Sequence, residues 1–347
     1  MPLTLPKNTF LSNESNKHKF LTALAAHLRE KGCPAIQAPD DADLYIVLEA
    51  LKEAEKKPTA IIGKDTDLLA LSIHYFNSAI HTNLYICDSN ISKNTPGQSS
   101  AILDIKWIKH NLREDLKNQV LFMHAFLGCD STSHIYGLNK GKIITLLVKD
   151  DSAIADGLVF SNHESSQESI ERAGERLLIR LYGGNPNESS LDTLRFKLFS
   201  QKIATSTNHV KPEVLPPTKD AARFHFHRVF LQVMTWMDHE MEPESWGWKR
   251  GASGLVPILM QKPPAPDALL KVIRCGCAED ACSSNKCSCK KHGINCSFAC
   301  KNCQGVSCCN QTTSVDPTLE DMDGNEDYID VENDAVFLMK YRLGKIK

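Results

Sequence analysis

Residues 38–67 read APDDADLYIVLEALKEAEKKPTAIIGKDTD, and the order of elements in this stretch decides the fold class. Asp40, Asp41 and Asp43 cluster ahead of a segment in which Leu44, Val47, Leu48 and Leu51 fall at i, i+3, i+4 and i+7. That spacing is the apolar stripe of a helix packed on a core. After Pro58, the short run Thr59-Ala-Ile-Ile-Gly63 predicts a buried strand, and it opens directly into Lys64-Asp65-Thr66-Asp67. Ligands of open α/β sheets bind beyond the carboxyl ends of the strands. One acidic group is therefore expected at a helix N-terminus and the other at a strand end. Taken singly, each acid has plain work: Asp40 as an N-cap, Asp41 and Asp43 against the helix dipole, Asp65 as the cap of the next helix. Both groups in this order favour a site where carboxylates converge on Mg²⁺ or Mn²⁺, cations that prefer oxygen ligands.

Working outward, 347 residues allow one large domain or two, and a 42% hydrophobic fraction is enough for a core. A net charge of -2 excludes attraction of the whole chain to nucleic acid, so any such contact must be a local patch. The N-terminus MPLTLPKNTF lacks the apolar run of a signal peptide, and no run approaches the length of a membrane span. No membrane partner is expected. Residues 1–14 read as a leader. Phe20, Leu21, Leu24 and Leu28 predict a helix ending at Gly32, and Ala35 to Gln37 a short strand. Beyond Asp67, Leu68 to Tyr75 should be helical, Leu84 to Cys87 a strand, and 89–100 a polar loop. Helices are expected from about Asp104 to Leu112 and from Asn118 to Leu127. Helices alternating with short apolar strands give an α/β fold with a mainly parallel sheet. His110, His124 and His134 lack ligand spacing and are read as ordinary helix-associated histidines.

A turn, Gly137-Leu-Asn-Lys-Gly-Lys142, precedes the next helix and would offer backbone N–H groups and cations to a phosphate. An ordinary helix–turn–helix corner explains it equally well. From Asp150 to about Ser169 the chain turns polar, which reads as a boundary between lobes. The middle region is helical: 170–181, closed by Gly183-Gly184, then Leu194 to Ile203, and Ala221 to Met237, whose aromatics read as core.

Three of these elements together resemble the flap-endonuclease and XPG-like nucleases, a branch of the PIN-like superfamily. Ala38-Pro-Asp-Asp-Ala-Asp43 resembles the acidic helix start of that family, and Lys64-Asp-Thr-Asp-Leu-Leu69 its strand-end Asp-x-Asp. Phe126-Leu-Gly-Cys-Asp130 resembles its Leu-Gly-x-Asp element, and 135–148 a degenerate helix–two-turn–helix. The resemblance covers roughly residues 15–150. It implies that Asp41, Asp43, Asp65, Asp67 and Asp130 occupy metal-site positions, while Asn139, Lys140 and Lys142 are the candidates for phosphate contact at the turn described above. The family places two further aspartates upstream, whereas the acidic residues before Asp40 here are Glu14 and Glu30. Two-metal hydrolysis holds ions roughly 3.5–4 Å apart, so an incomplete carboxylate set implies at most one weakly held Mg²⁺ or Mn²⁺.

The thirteen cysteines divide sharply: Cys33, Cys87 and Cys129 are scattered, and ten lie between Cys275 and Cys309. Without a secretory signal, dense cysteines read as metal ligands in a reducing compartment, nuclear or cytoplasmic. Residues 275–310, CGCAEDACSSNKCSCKKHGINCSFACKNCQGVSCCN, have the spacing C-x-C-x4-C-x4-C-x-C-x6-C-x3-C-x2-C-x4-C-C and resemble a tesmin-like CXC domain. The resemblance implies nine thiolates on three zinc ions: Cys275, Cys277, Cys282, Cys287, Cys289, Cys296, Cys300, Cys303 and Cys308, with Cys309 as the spare. Cys308 and Cys309 are interchangeable at this level. Three tetrahedral ions need twelve bonds, which six terminal and three bridging sulfurs supply. CXC domains of this type often bind DNA, and Lys286, Lys290 and Lys291, with Lys271, Arg274 and Lys301, supply local positive charge. DNA-reading members commonly carry a tyrosine before the fourth cysteine, where this chain has Lys286, and often two CXC copies, where it has one.

The expected organisation is then a leader (1–14), an incomplete nuclease-like domain (15–150), a helical region and linker (151–270), a zinc module (271–310) and an acidic tail (311–347). The reading for function is a nucleic-acid-binding protein, with DNA the expected partner, derived from a metal-dependent structure-specific nuclease and with little or no turnover by itself. Two alternatives are a 5′ nuclease completed by upstream sequence or a partner chain, and a zinc-organised interaction protein.

Overall fold

The computed structural model describes residues 6–38, 41–87, 102–205, 212–252, 254–262, 274–277, 281–284, 286–291, 295–296, 300–305 and 308–310. Asp40, the polar loop 89–100, Lys271 and the acidic tail lie outside them. Two compact units emerge: one contains the described residues up to Asn187 together with Arg228–Met241, the other Glu188–His227 and those from Glu242 onward.

The first unit begins with a five-residue helix α1 (Lys7–Leu11) and α2 (Glu14–Glu30), whose Asn13 cap accepts from the Asn16 N–H at 3.1 Å. The expected stripe of α2 does not enter a core: Phe20, Leu21, Leu24 and Leu28 stay exposed, and Ala25 is its buried residue. Nor is 35–37 a strand. The Arg29 guanidinium donates to the Ala35 carbonyl (3.0 and 2.7 Å) and Gln37 meets Thr22, so this segment folds back along α2.

From here the sequence is followed closely. Helix α3 (Asp43–Ala54) buries Val47, Leu51 and Ala54, while Leu48 stays exposed, so the buried stripe is narrower than the periodicity implied. Strand β1 (Thr59–Ile62), helix α4 (Thr66–Tyr75) and strand β2 (Leu84–Cys87) form a β-α-β unit, and β1 and β2 pair in parallel from Thr59↔Leu84 to Ile62↔Cys87. A helical crossover is what a parallel pair requires. Strand β3 (Ile102–Asp104) joins the other edge of β2 antiparallel, so the sheet is small and mixed, with one of its two ladders parallel.

Helices α5 (Ile105–Asn111), α6 (Glu114–Lys117) and α7 (Val120–Leu127) follow. Every residue of α7 is buried, as are Thr66–Ile73 of α4, and the two helices pack together as the core beside the sheet. Helices α8 (Lys140–Lys149), α9 (Asp151–Leu158) and α10 (Gln167–Leu181) extend the same unit. The polar stretch after Asp150 is thus a packed helix. Its acids are structural: Asp150 caps α9, and buried Asp156 accepts from the Arg176 and Arg180 guanidiniums of α10. Phe160 closes the aromatic core against Phe122, with ring centroids 4.9 Å apart.

The second unit contains α11 (Leu191–Thr205) and the N-terminal half of α12 (Lys219–Trp236), the remainder of which belongs to the first unit. Phe224, Phe226, Phe230 and Trp236 are all buried, in keeping with their reading as core. An antiparallel hairpin, β4 (Trp248–Gly251) and β5 (Gly254–Pro257), follows. The cysteine cluster comes last, with a one-turn helix α13 (Ser288–Lys291). No helix of the described residues is long and apolar enough to cross a membrane.

Candidate functional site: an acidic cluster and a cysteine cluster

Three carboxylates converge where α3 and α4 begin. Asp43 is the first residue of α3, and its N–H donates to Asp41 Oδ1 at 3.2 Å. The chain leaves β1 through Gly63, where a Cβ would stand 2.6 Å from a Leu68 methyl, so the turn into Asp65 is tight. Asp65 caps α4, its Oδ1 accepting the Asp67 N–H at 3.0 Å. Capping and clustering are therefore not alternatives: Asp65 does both. Carboxylate oxygens of Asp43, Asp65 and Asp67 lie within 4.8 Å of one another, a group that could hold a metal ion.

The charge density is legible in the titration of its members. Burial, then the charges of Asp41, Asp65, Asp67 and Asp130, push the Asp43 carboxyl up to about 7. Asp130 is raised too, by burial first and then by Asp67, Asp65 and Asp41. Asp41 and Asp130 thus act on Asp43 through their charge but are not among the three converging oxygens.

Asp130 sits on a braced loop. Gly128 ends α7 at φ +117°, and a Cβ there would stand 2.9 Å from the His134 backbone, so no larger residue fits. Thr132 Oγ1 donates to the Ala125 carbonyl at 2.7 Å and accepts the Cys129 N–H at 3.0 Å. Ser131 Oγ donates to Gln232 Oε1 at 2.5 Å, and Arg228 reaches Ser133 Oγ at 3.3 Å, both from α12.

One residue of this site escaped the sequence reading. His124 is buried in α7, and its Nε2 donates to Asp67 Oδ1 at 2.5 Å. Its ring stacks on Trp236, centroids 5.7 Å apart. The histidine is not a member of the metal-competent group; it orients one. The signal was available, since His124 is the single polar residue of VLFMHAFL, and a polar group in a wholly apolar helix must find a buried partner. His134 is exposed, and His110 lies elsewhere on the unit.

In the second unit, Cys275, Cys282, Cys287, Cys289, Cys296, Cys300, Cys303 and Cys308 form one buried cluster with Cys277 packed against it, and Cys309 is exposed. Those nine are the residues that the CXC resemblance implies; Cys308 is buried in the cluster and Cys309 is exposed. Four-sulfur groups recur within the cluster, among them Cys275–Cys277–Cys282–Cys287 and Cys282–Cys296–Cys303–Cys308. The Sγ atoms of Cys289 and Cys300 are 3.4 Å apart, and those of Cys287 and Cys296 3.7 Å. Burial pushes the Cys275 thiol up to about 12 and Cys289 up to about 11. It also acts to raise Cys287 and Cys303, but backbone N–H donors at Lys290 and Gly305 and neighbouring thiols bring both down to about 7. Sulfur-only groups of four are the donor set of structural zinc, so the cluster could hold zinc ions.

No protein-family model matches this chain, nor does any curated protein or solved structure. The site is therefore read from its own geometry.

The residues expected at a nucleic-acid surface fall in two places. Asn139 caps α8 by accepting the Lys142 N–H at 3.0 Å, and the Lys142 ammonium donates to the Gly137 carbonyl. Asn139 and Lys142 are exposed and Lys140 is half-buried, but the corner is in large part occupied with its own capping. Lys286, Lys290 and Lys291 are exposed on the cysteine region, with Lys290 donating to the Ser283 carbonyl. Arg274 and Lys301 are exposed as well.

Proposed function

We propose that this protein binds nucleic acid and derives from a metal-dependent, structure-specific nuclease of the XPG-like, PIN-like kind, with little or no turnover by itself. The observation that carries the reading is the convergence of Asp43 with Asp65 and Asp67, acids from separate segments of the chain. Supporting it, Asp130 follows on a loop braced from α12, and the strand end and helix start stand in the order such a site needs. The three oxygens suit one Mg²⁺ or Mn²⁺, which would polarise a phosphate. Asp67, held by His124, would present a fixed oxygen, and Asp43 would surrender its proton when the ion binds. A single ion cannot clamp attacking and leaving oxygens together, which is why turnover is not expected.

The cysteine cluster would hold three zinc ions. One would lie on Cys275, Cys277, Cys282 and Cys287, and a second on Cys282, Cys296, Cys303 and Cys308. The third would lie between Cys289, Cys300, Cys287 and Cys296, the pairs already in contact. Cys282, Cys287 and Cys296 then bridge, and six terminal plus three bridging thiolates complete the twelve bonds. The module fixes a strip of lysines against phosphate, and a nuclear location follows from that partner. The second reading, an active nuclease completed by another chain, draws on the nearness of Asp130 to the triad.

Binding through Lys286, Lys290 and Lys291 is electrostatic and blind to sequence. Replacing all three with Ala should weaken every duplex alike and reduce the slope of log affinity against log salt by up to about 3. Anisotropy titrations of unrelated duplexes at several salt concentrations read this directly. Unchanged affinity, or a loss confined to one sequence, removes the lysine strip from the interface.

A further inference from the structure

An open groove of about 1000 Å³ lies on the first unit where α4 ends and α5 and α6 begin. It is separate from the acidic triad: along α4, Asp67 and Tyr75 are roughly 12 Å apart at 1.5 Å per residue. Helix α5 turns Ile105 and Ile108 into the core, which leaves Trp107 and His110, three residues apart, on its outer side. Trp107 is 48% exposed although it is among the largest apolar side chains of the chain. Its backbone is held at the helix start, where Asp104 Oδ1 accepts its N–H at 3.0 Å.

Three ammonium groups share the groove with two carboxylates, and each has a defined position. Lys109 donates to the His74 and Phe76 carbonyls at 2.7 and 2.6 Å, capping α4 from the groove wall. Lys117 pairs with Glu114 at 2.8 Å, and exposed Lys106 makes one long contact, 3.3 Å, to the Thr82 carbonyl. Asp104 is committed to its helix cap. What faces solvent is a flat indole, with Lys106 beside it in sequence and Lys109 and Lys117 in the lining of the same groove.

We infer that this groove binds an unpaired nucleic-acid strand, one base stacking on Trp107 while Lys106 and Lys117 meet the flanking phosphates. An aromatic platform between cations is what sequence-tolerant strand binding uses, because every base offers a π face. A metal site is disfavoured by the ammonium excess, and a purely apolar ligand by the desolvation of three lysines. The inference goes beyond the function proposed above, since it uses neither the acidic triad nor the zinc module.

The test is a titration of the full chain, zinc-loaded, with fluorescent fifteen-nucleotide oligo-dT, with a duplex of equal length, and with thymidine monophosphate. Trp107→Ala should weaken the strand roughly tenfold or more, leave the duplex unchanged, and be largely rescued by Trp107→Phe, which keeps a stacking face. Lys106→Ala with Lys117→Ala should weaken the strand again and flatten its salt dependence. Replacing Lys286, Lys290 and Lys291 should instead weaken the duplex, so failure of the zinc-module reading and failure of this one are separable. Equal losses for strand and duplex, no rescue by Phe, or a monophosphate binding as tightly as the strand would each overturn the inference.

Discussion

Stripping zinc from the purified chain should unfold the cysteine region and leave the first unit folded. The buried cluster of that region consists of cysteines alone, with no leucine, isoleucine or phenylalanine among its members in the described residues. A short segment without an apolar core has nothing else to offset the loss of conformational entropy. Without a cation, burial keeps thiols such as Cys275 and Cys289 protonated. Metal binding must release those protons, so binding and folding are coupled, with apparent zinc energies of about 10–16 kcal/mol per structural site. Elemental analysis should find about three zinc ions per chain. Cys296→Ser, at a proposed bridge, should lose more than one ion, whereas Cys309→Ser should lose none. A folded, zinc-free region carrying disulfides would contradict this.

The acidic cluster should bind Mn²⁺ more tightly as pH rises from 6 to 8. Asp43 keeps its proton up to about 7 in the metal-free fold, for the burial and charge reasons given above. An ion competes with that proton, so affinity should climb by up to about tenfold per pH unit below this value and level off above it. Stability moves the other way. An unfolded Asp43 ionises near 3.8, so between about 4 and 7 the folded state holds a proton that the unfolded state has lost. Metal-free stability therefore falls as pH rises through that window, and Mn²⁺ restores it. Asp43→Asn should raise the metal-free melting temperature at pH 8. Asp65→Asn with Asp67→Asn replaces two of the three carboxylates with neutral amides and should abolish saturable binding, read from the free-ion Mn²⁺ spin-resonance signal. Binding that is independent of pH, or that survives the double change, would dissolve the site.

Much of this was legible because local signals agreed with tertiary ones. Between Asp43 and Cys87, helix, strand, helix and strand follow from apolar spacing bounded by Pro58 and Gly63. The acids could be placed because strand ends and helix starts are where an α/β unit presents side chains. The cysteine cluster was legible for a different reason: ten of the thirteen cysteines fall within residues 275–309, and the nine that the CXC resemblance implies are brought together.

What failed had no local signature. The stripe of α2 has helical period but stays exposed, and periodicity says only that a face is apolar, not what covers it. The antiparallel addition of β3 depends on which edge of β2 is open, a property of the folded sheet. The polar stretch from Asp150 read as a boundary between lobes, yet within it Asp150 caps a helix and Asp156 holds Arg176 and Arg180. The groove around Trp107 is assembled from three helices, and no single stretch announces it.

The most direct test of the account is one reaction: the full zinc-loaded chain with labelled 5′-flap DNA and Mn²⁺ at low salt, resolved on native and denaturing gels. The account predicts a shifted complex on the native gel, dissolved by added salt, and an intact strand on the denaturing gel. Strand cleavage that disappears in Asp65→Asn/Asp67→Asn, or no complex at any salt concentration, would contradict it.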